Sequence, residues 1–527
     1  MHTIVRVALS RLKGQTFEGK VLEVFPSLDD PELERAIVAE AHGIPTEFSD
    51  KALSDADEAR SLKDGKRADL SHATIVTIDG ETAKDFDDAI GVEKTKEGHF
   101  LLTVSIADVS HFVQEGSSLN NEAYQRATSV YLPNFVYPML PEQLSNDLCS
   151  LVPNQERLTL TCEILIDNAG TVLKTRIYPS KIKSQARLTY TLVNKVIEGE
   201  TKLVAPKISA MLLLAHELSL KVRKSRNERG ALDLDLPESQ IHVDKFGDVI
   251  AIKTVERNEA HRLIEDFMIL ANEQVSEAIE AKGYPSVFRV HENPDPLKLE
   301  RLRQVVRHWG FTISDKKGLV PSLQGYLDSV RGHQSEKILV TSLLRSLKQA
   351  QYSPTNVGHF GLGSKSYCHF TSPIRRYPDL MIHRILRRSD FLKNTEAPYT
   401  FEKLEEMSKV CSENERRAFL AERDLQDIKK CRFMSSFVGK FYDAVIVSVK
   451  SFGLFIEVMD YPVEGLIPLR HLPRDDYSPD ELETCLSGFR GQKNKFWLGD
   501  RVKVQLADVD RFRRQITFRF VSRMNEK

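Results

Sequence analysis

Apolar positions along the 527-residue chain change their spacing twice. Up to about residue 204 they fall in short runs bounded by Gly, Asn and Asp, as strands do. Residues 4–9 and Phe17–Phe25 are such runs, and Asp29 or Asp30 is placed to cap a helix over Pro31–Ala41 with proline in its first turn. Runs over 73–78 and Phe100–Ala107 follow, the second after a Glu97-Gly98 turn. The runs 164–166 and 172–177 flank a hairpin turn at Asn168-Ala169-Gly170. Three- and four-residue steps then predict helices over 210–222, 260–281, 297–308, 336–350 and 379–388, and a long charged amphipathic helix, broken at most once, over 402–433. From Phe441 to Phe520 short strands return between Gly, Pro and Asp turns, an all-β module of about 80 residues. Two strands and one helix cannot close a core, so 1–48 reads as part of a larger fold. The polar stretch 49–70 reads as a linker or surface helix. The expectation is an α+β chain in four parts: 1–48, 49–70, 71–436 and 437–523.

Composition narrows the function classes. Apolar residues make up 41% and charged residues 28%, the balance of a soluble globular protein. No apolar run approaches the roughly 18–20 residues that span a bilayer, so no membrane partner is expected. The first residues carry Arg6 and Arg11 within their apolar stretch and no small-residue cleavage site, a poor secretory signal. The six cysteines are far apart and form no C-x-x-C pair, which fits a reducing cytoplasm and argues against a zinc knuckle. A net charge of −1 excludes a uniformly basic polyanion binder, so any phosphate-binding surface must be local. Residues 487–519 supply one, with nine Lys or Arg against three Asp or Glu.

The densest chemistry is Thr77-Ile78-Asp79-Gly80-Glu81-Thr82-Ala83-Lys84-Asp85-Phe86-Asp87-Asp88-Ala89-Ile90. An acidic turn in solvent is the simplest account of four nearby aspartates. Here, however, Asp79 ends an apolar run, and Ala83, Phe86, Ala89 and Ile90 bracket the other three. Carboxylates held against a core repel one another and resist ionisation unless a cation neutralises them. Oxygen ligands without His or Cys select magnesium, with manganese as a substitute, over zinc. Two such cations serve phosphodiester cleavage by in-line attack of water.

A second cluster is His369-Phe370-Thr371-Ser372-Pro373-Ile374-Arg375-Arg376-Tyr377-Pro378-Asp379-Leu380. Ser372 with Pro373 predicts a helix start, whose free N–H groups attract phosphate. Arg375 and Arg376 add fork-shaped donors, or else form a surface pair bonded to a neighbouring acid. Phe452 and Phe455 flank Gly453 in the β module and can stack on bases, or serve as core. Phe288 is a further candidate stacking ring, with core packing equally open.

TIDGETAKDFDDAI resembles the signature of the RNB family, the ribonuclease II and ribonuclease R exoribonucleases, with all four family aspartates at spacings of six, two and one. HFTSPIRRYPDL resembles a second family motif, and 441–520 resembles the OB-fold RNA-binding domain first named in a ribosomal protein. GHFGL before SYCHFTSPIRRYPDL, and Lys224-Ser225-Arg226-Asn227-Glu228-Arg229-Gly230, lean toward the ribonuclease R branch. The resemblance implies an RNB catalytic domain over 71–436 with a mixed sheet and helices around a channel, then an OB-fold barrel over 437–523. Residues 1–48 match only the end of the second of two cold-shock OB domains, a shortened front relative to the family. The implied activity is processive 3′→5′ hydrolysis of RNA to nucleoside 5′-monophosphates. Asp79, Asp85 and Asp88 would hold metal, with Asp87 most critical to the step and part of the same set. Arg375 would contact the phosphate near the scissile bond, and Arg376 would support it. Tyr131, in TSVYLP, would stack on the last nucleotide. The expected partner is the 3′ end of single-stranded RNA, bound by a monomer. Asp108 is expected to brace the sheet outside the metal set. Two rivals remain: a non-catalytic RNA-binding protein on the same scaffold, and an endonuclease or DNA exonuclease using the same metals.

Overall fold

The computed structural model describes residues 4–11, 17–25, 30–234, 238–244, 247–255, 257–314, 318–388, 398–490 and 494–524. Its centre is a five-stranded sheet in the order Ala68–Asp69, Val172–Lys183, Glu156–Ile166, Phe100–Ala107, Asp88–Lys94. All neighbours are antiparallel except the short first strand, which runs parallel to its partner. Phe100, Leu102, Val104 and Ile106 alternate onto one face and are fully buried. The helices Pro206–Arg229 and Glu259–Ala281 cover the sheet, and Leu212, Leu263 and Phe267 join the same core.

Two local pairings set the position of the acidic residues. Strand Thr77–Asp79 runs parallel to Arg187–Thr189, with Thr189 opposite Asp79. Just before it, Val76 and Ile90 exchange both backbone hydrogen bonds, at 3.0 and 2.9 Å. Counted along both chains, this antiparallel register sets Ile78 opposite Asp88, the first residue of its strand, and so brings Asp79 next to Asp87 and Asp88.

Helix Pro31–Ala41 forms where expected, capped by Asp30, whose carboxylate accepts from the Glu32 N–H. It packs on the 35-residue helix Phe401–Ser435, which runs unbroken. The buried Lys429–Glu34 ion pair (3.1 Å) ties the two together. Within 49–70 a helix, Asp50–Glu58, sends Ala52 and Ala56 into the main core, so this stretch is more than a tether. Helices Pro296–His308, Leu319–Val330 and Glu336–Ser346 share a separate core around Leu302, Leu323 and Leu339.

The C-terminal module is a closed barrel of five strands, Phe441–Lys450, Gly453–Val458, Glu464–Pro468, Gln515–Arg523 and Arg501–Asp510. Gly453 is required at its first turn: its φ is +153°, and a Cβ would lie 2.3 Å from the Ile467 carbonyl oxygen. Among the described residues no helix is long and apolar enough to cross a membrane.

Candidate active site

The loop between Asp79 and Asp88 is clamped from both sides. The Ser150 hydroxyl donates to the Lys84 carbonyl (2.7 Å) and accepts from the Phe86 N–H (3.0 Å). Arg187 donates to the carbonyls of Gly80 and Glu81, both at 2.7 Å. Phe86 is buried and anchors the turn, so its neighbours Asp85 and Asp87 face the other way, into a cavity of about 480 Å³.

All four aspartates line that cavity, together with Arg375 and Arg376. Asp87 Oδ1 accepts the Ile374 N–H at 2.8 Å. Its Oδ2 is buried without a hydrogen bond, 3.5 Å from Arg375 Nε. Asp79 Oδ2 is likewise buried and unpartnered. Asp85 accepts the Tyr131 hydroxyl at 2.8 Å. Among the described residues no three His, Cys, Asp or Glu side chains close into a ready-made metal site. The orphaned carboxylate oxygens nonetheless fit a hard cation, because a buried acceptor that no protein donor satisfies is costly.

Electrostatics point the same way. Burial first, then the charges of Asp88 and Asp85, pushes the Asp79 carboxyl up to about 8. Burial raises Asp88 to about 6 against the pull of Arg375 and Arg376. Burial also lifts Asp87 well above its ordinary value, opposed chiefly by Arg375. These folded values lie above the unfolded one of 3.8, so the metal-free folded chain holds protons that the unfolded chain releases. Stability at this site therefore falls as pH rises from about 4 toward 8, and a cation that replaces the protons reverses the trend. Thermal unfolding should show a magnesium-induced rise in Tm that is small at pH 5 and larger at pH 8. An increment that shrinks with rising pH would contradict this assignment.

The predicted helix start at Ser372 is not what forms. The helix is Tyr377–Leu386, capped at Arg376, with Pro378 in its first turn. Ser372 starts a single turn, closed by the Arg376 N–H on Ser372 O (3.0 Å). Arg376 is then held extended because the chain pairs across to 127–129: Ser129 N–H donates to Arg375 O (3.0 Å) and Tyr377 N–H to Ala127 O (2.9 Å). This long-range pairing overrides the local Ser-Pro signal. The turn at 372–375 directs its Ile374 N–H to Asp87, so that free donor serves the carboxylate cluster instead of a phosphate. Arg375 is 41% exposed and its guanidinium is steadied by the Ser372 hydroxyl at 3.0 Å, leaving it open toward the cavity. Arg376 donates to Asp379 at 2.8 Å and is more deeply set. Arg376 is thus an arginine bonded to a neighbouring acid, while Arg375 lies between Asp87 and the cavity.

Tyr131 stands in the hairpin Val130–Leu132/Phe135–Tyr137, 39% exposed, with its hydroxyl fixed on Asp85. Phe288 is a correction: strand Phe288–Val290 pairs with Gln351–Ser353, and the ring is only 6% exposed, so core packing accounts for it. Sequence reasoning does not find Tyr190, Asn272, Arg289, Tyr367 and His369, which also line the cavity. Tyr190 opens the helix after Thr189 and stacks on His261 with ring centroids 4.0 Å apart. Its neighbourhood depends on the parallel Thr189–Asp79 pairing, which has no local sequence signal. Asp108 is fully buried and bonded by Arg67 (2.6 Å) and Arg387 (2.9 Å), outside the cavity lining.

On the barrel, Phe452 is 54% exposed and Phe455 half-buried, their rings edge to face with centroids 6.0 Å apart. His471 Nδ1 is engaged with the Phe518 carbonyl at 3.0 Å. Arg501, Lys503, Arg513, Arg514 and Arg519 are exposed, while Lys493 lies outside the described residues.

A recessed carboxylate pocket faced by a guanidinium, coupled to an OB barrel with exposed aromatic rings, defines a nuclease-class enzyme. Comparison with known proteins is specific about which. The RNB domain model matches residues 67–389, and the S1 RNA binding domain model matches 435–519. Ribonuclease R of Thermotoga maritima is 41% identical over 529 residues, covering 97% of this chain and 74% of that protein. The structure of Mycoplasma genitalium RNase R in complex with ribose methylated single-stranded RNA superposes with a TM-score of 0.90 at 32% identity, over 96% of this chain and 80% of that one. Yeast Ssd1, described as a pseudonuclease, shares the fold alone: TM-score 0.72, 19% identity, 91% of this chain and 61% of that one. The chain belongs to the RNB family.

Proposed function

We propose that the chain is a metal-dependent hydrolase that shortens single-stranded RNA processively from its 3′ end and releases nucleoside 5′-monophosphates. Its place among the ribonuclease R relatives makes it a 3′→5′ exoribonuclease of RNA degradation. The observation that carries the chemical reading is the convergence of Asp79, Asp85, Asp87 and Asp88 with Arg375 on one cavity. Sharing a fold with a pseudonuclease does not decide catalysis, and the complete carboxylate set supports it.

In this reading the four aspartates hold magnesium, with manganese as a substitute. When bound, the cations activate water and offset charge on the leaving oxygen. The chain's own residues do the rest. Asp87 is fixed by the Ile374 N–H on one oxygen and keeps the other unbonded beside Arg375, free to serve the set that would hold metal. Arg375 forks onto the non-bridging oxygens of that phosphate and neutralises the charge that develops there. Tyr131, with its hydroxyl tied to Asp85, offers its ring to the terminal base. Arg376, held by Asp379, adds positive charge behind Arg375. Ile264, Met268 and Ile269 form an apolar wall that limits water. We place the protein in the cytoplasm as a monomer.

Replacing both Phe452 and Phe455 by alanine should weaken binding of long single-stranded RNA by about 1–3 kcal/mol per lost stack, with a smaller effect on the cutting rate. Fluorescence anisotropy with a labelled RNA checks this, and unchanged affinity would remove the two rings from the binding surface. Digestion of end-labelled RNA separates the rivals. An internal cutter gives discrete fragments, and a pure binding protein leaves the RNA intact.

A further inference from the structure

A second cavity, of about 260 Å³, adjoins the active-site cavity, and the two share Glu265, His359 and Leu362 as wall residues. Its walls come from helices Pro206–Arg229 and Glu259–Ala281, from residues 231–234 and from the loop around Gly361. Four guanidinium groups, of Arg223, Arg226, Arg257 and Arg262, face three carboxylates, of Asp233, Glu265 and Asp266.

How these charges pair leaves donors over. Asp266 is almost wholly buried and takes one nitrogen from each of two arginines: Arg223 Nε at 2.9 Å and Arg226 Nη2 at 3.0 Å. Arg223 Nη1 goes to Glu259 at 3.0 Å. Glu265 pairs with Arg257, and Asp233 with Arg331 at 3.2 Å. Arg223 Nη2 and both Nε and Nη1 of Arg226 remain buried with no acceptor. Beside them His291, 8% exposed, accepts the Gly361 N–H on Nδ1 at 3.2 Å, which places its proton on Nε2. Nε2 has no acceptor in hydrogen-bond geometry, only the Lys348 carbonyl in its neighbourhood. Buried N–H groups without acceptors are costly and uncommon. Several of them, drawn mostly from two fork-shaped guanidiniums, match the oxygens of a phosphate group.

We propose that this chamber binds a phosphate monoester, and that its occupant during turnover is the 5′-phosphate of the mononucleotide just released from the adjoining site. The second half of the proposal rests on the hydrolytic reading above. A product held there has left the reacting carboxylates while the shortened strand advances, which separates release from the next cut.

The test is isothermal titration of the full chain, in chelator so that no turnover occurs, with 5′-AMP, adenosine and inorganic phosphate. Expected is binding of 5′-AMP and none of adenosine. Arg226→Lys keeps a cation on Asp266 but removes the two unpartnered donors, and should weaken 5′-AMP by at least about tenfold while leaving affinity for single-stranded RNA unchanged. His291→Phe is the second variant and should act in the same direction if Arg226→Lys fails to fold. Unchanged 5′-AMP affinity in a folded variant overturns the chamber. Inorganic phosphate binding as tightly as 5′-AMP overturns the assignment to the released nucleotide, leaving a free-phosphate site. A wild-type chain that cannot shorten RNA with magnesium would instead sink the hydrolytic reading, whatever the titration shows.

Discussion

Asp87→Asn should lower the rate of RNA cleavage by at least about a thousandfold, roughly 4 kcal/mol of barrier, with RNA affinity nearly unchanged. The geometry makes this a clean substitution. Asparagine can keep an oxygen on the Ile374 N–H, now 2.8 Å from Asp87 Oδ1, so the turn before helix Tyr377–Leu386 stays in place. What changes is the second oxygen, which stands 3.5 Å from Arg375 Nε with no hydrogen bond of its own. An amide there presents a donor to a donor and removes the charge the reaction needs. Burial already resists ionisation of Asp87, so the variant should be at least as thermally stable as the parent. Single-turnover rates together with filter binding read the effect. Joint loss of cleavage and binding would show that Asp87 holds the fold and not the chemistry.

Arg375→Ala should cost about a hundred- to a thousandfold in turnover and should also displace the pH profile. Arg375 is among the charges that lower the pKa values of Asp79, Asp87 and Asp88. Without it those carboxyls rise further, so they ionise only at higher pH. The acid limb of the rate profile therefore moves to higher pH. Backbone pairing should survive, because Ser129 and Thr128 both bond the Arg375 carbonyl and not its side chain. Arg375→Lys restores the charge without the fork, and should return the limb while recovering only part of the rate. A slow Arg375→Ala enzyme with an unmoved limb would mean that the guanidinium acts on substrate alone.

Both substitutions touch residues that are legible in the amino-acid sequence, and the reason is locality. The four aspartates lie within ten residues, so one strand end and one clamped turn gather them. Long amphipathic helices such as Glu259–Ala281 are equally legible, because a period of three and four persists over many turns. Where tertiary pairing decides, the sequence is a poor guide. Ser372-Pro373 looks like a helix start, but pairing with 127–129 holds Arg376 extended and stops the chain after one turn, so the helix begins only at Tyr377. Phe288 sits in a three-residue strand whose partner is more than sixty residues away, and only that pairing shows that the ring is buried. Helix Leu319–Val330 escapes a reading of periodicity because Pro321 and Gly325 interrupt its pattern, although a shared core stabilises it. Tyr190 and Tyr367 reach the cavity through contacts that no short motif records.

The most direct test is digestion of a 5′-labelled single-stranded RNA by the full chain, with magnesium and with chelator, resolved on a sequencing gel. With magnesium the label should pass from full-length RNA to a short end product with few intermediates while unlabelled mononucleotides accumulate, and chelator or Asp87→Asn should stop both. Cleavage that persists in chelator, or label released first as a mononucleotide, would contradict cutting from the 3′ end at the aspartate pocket.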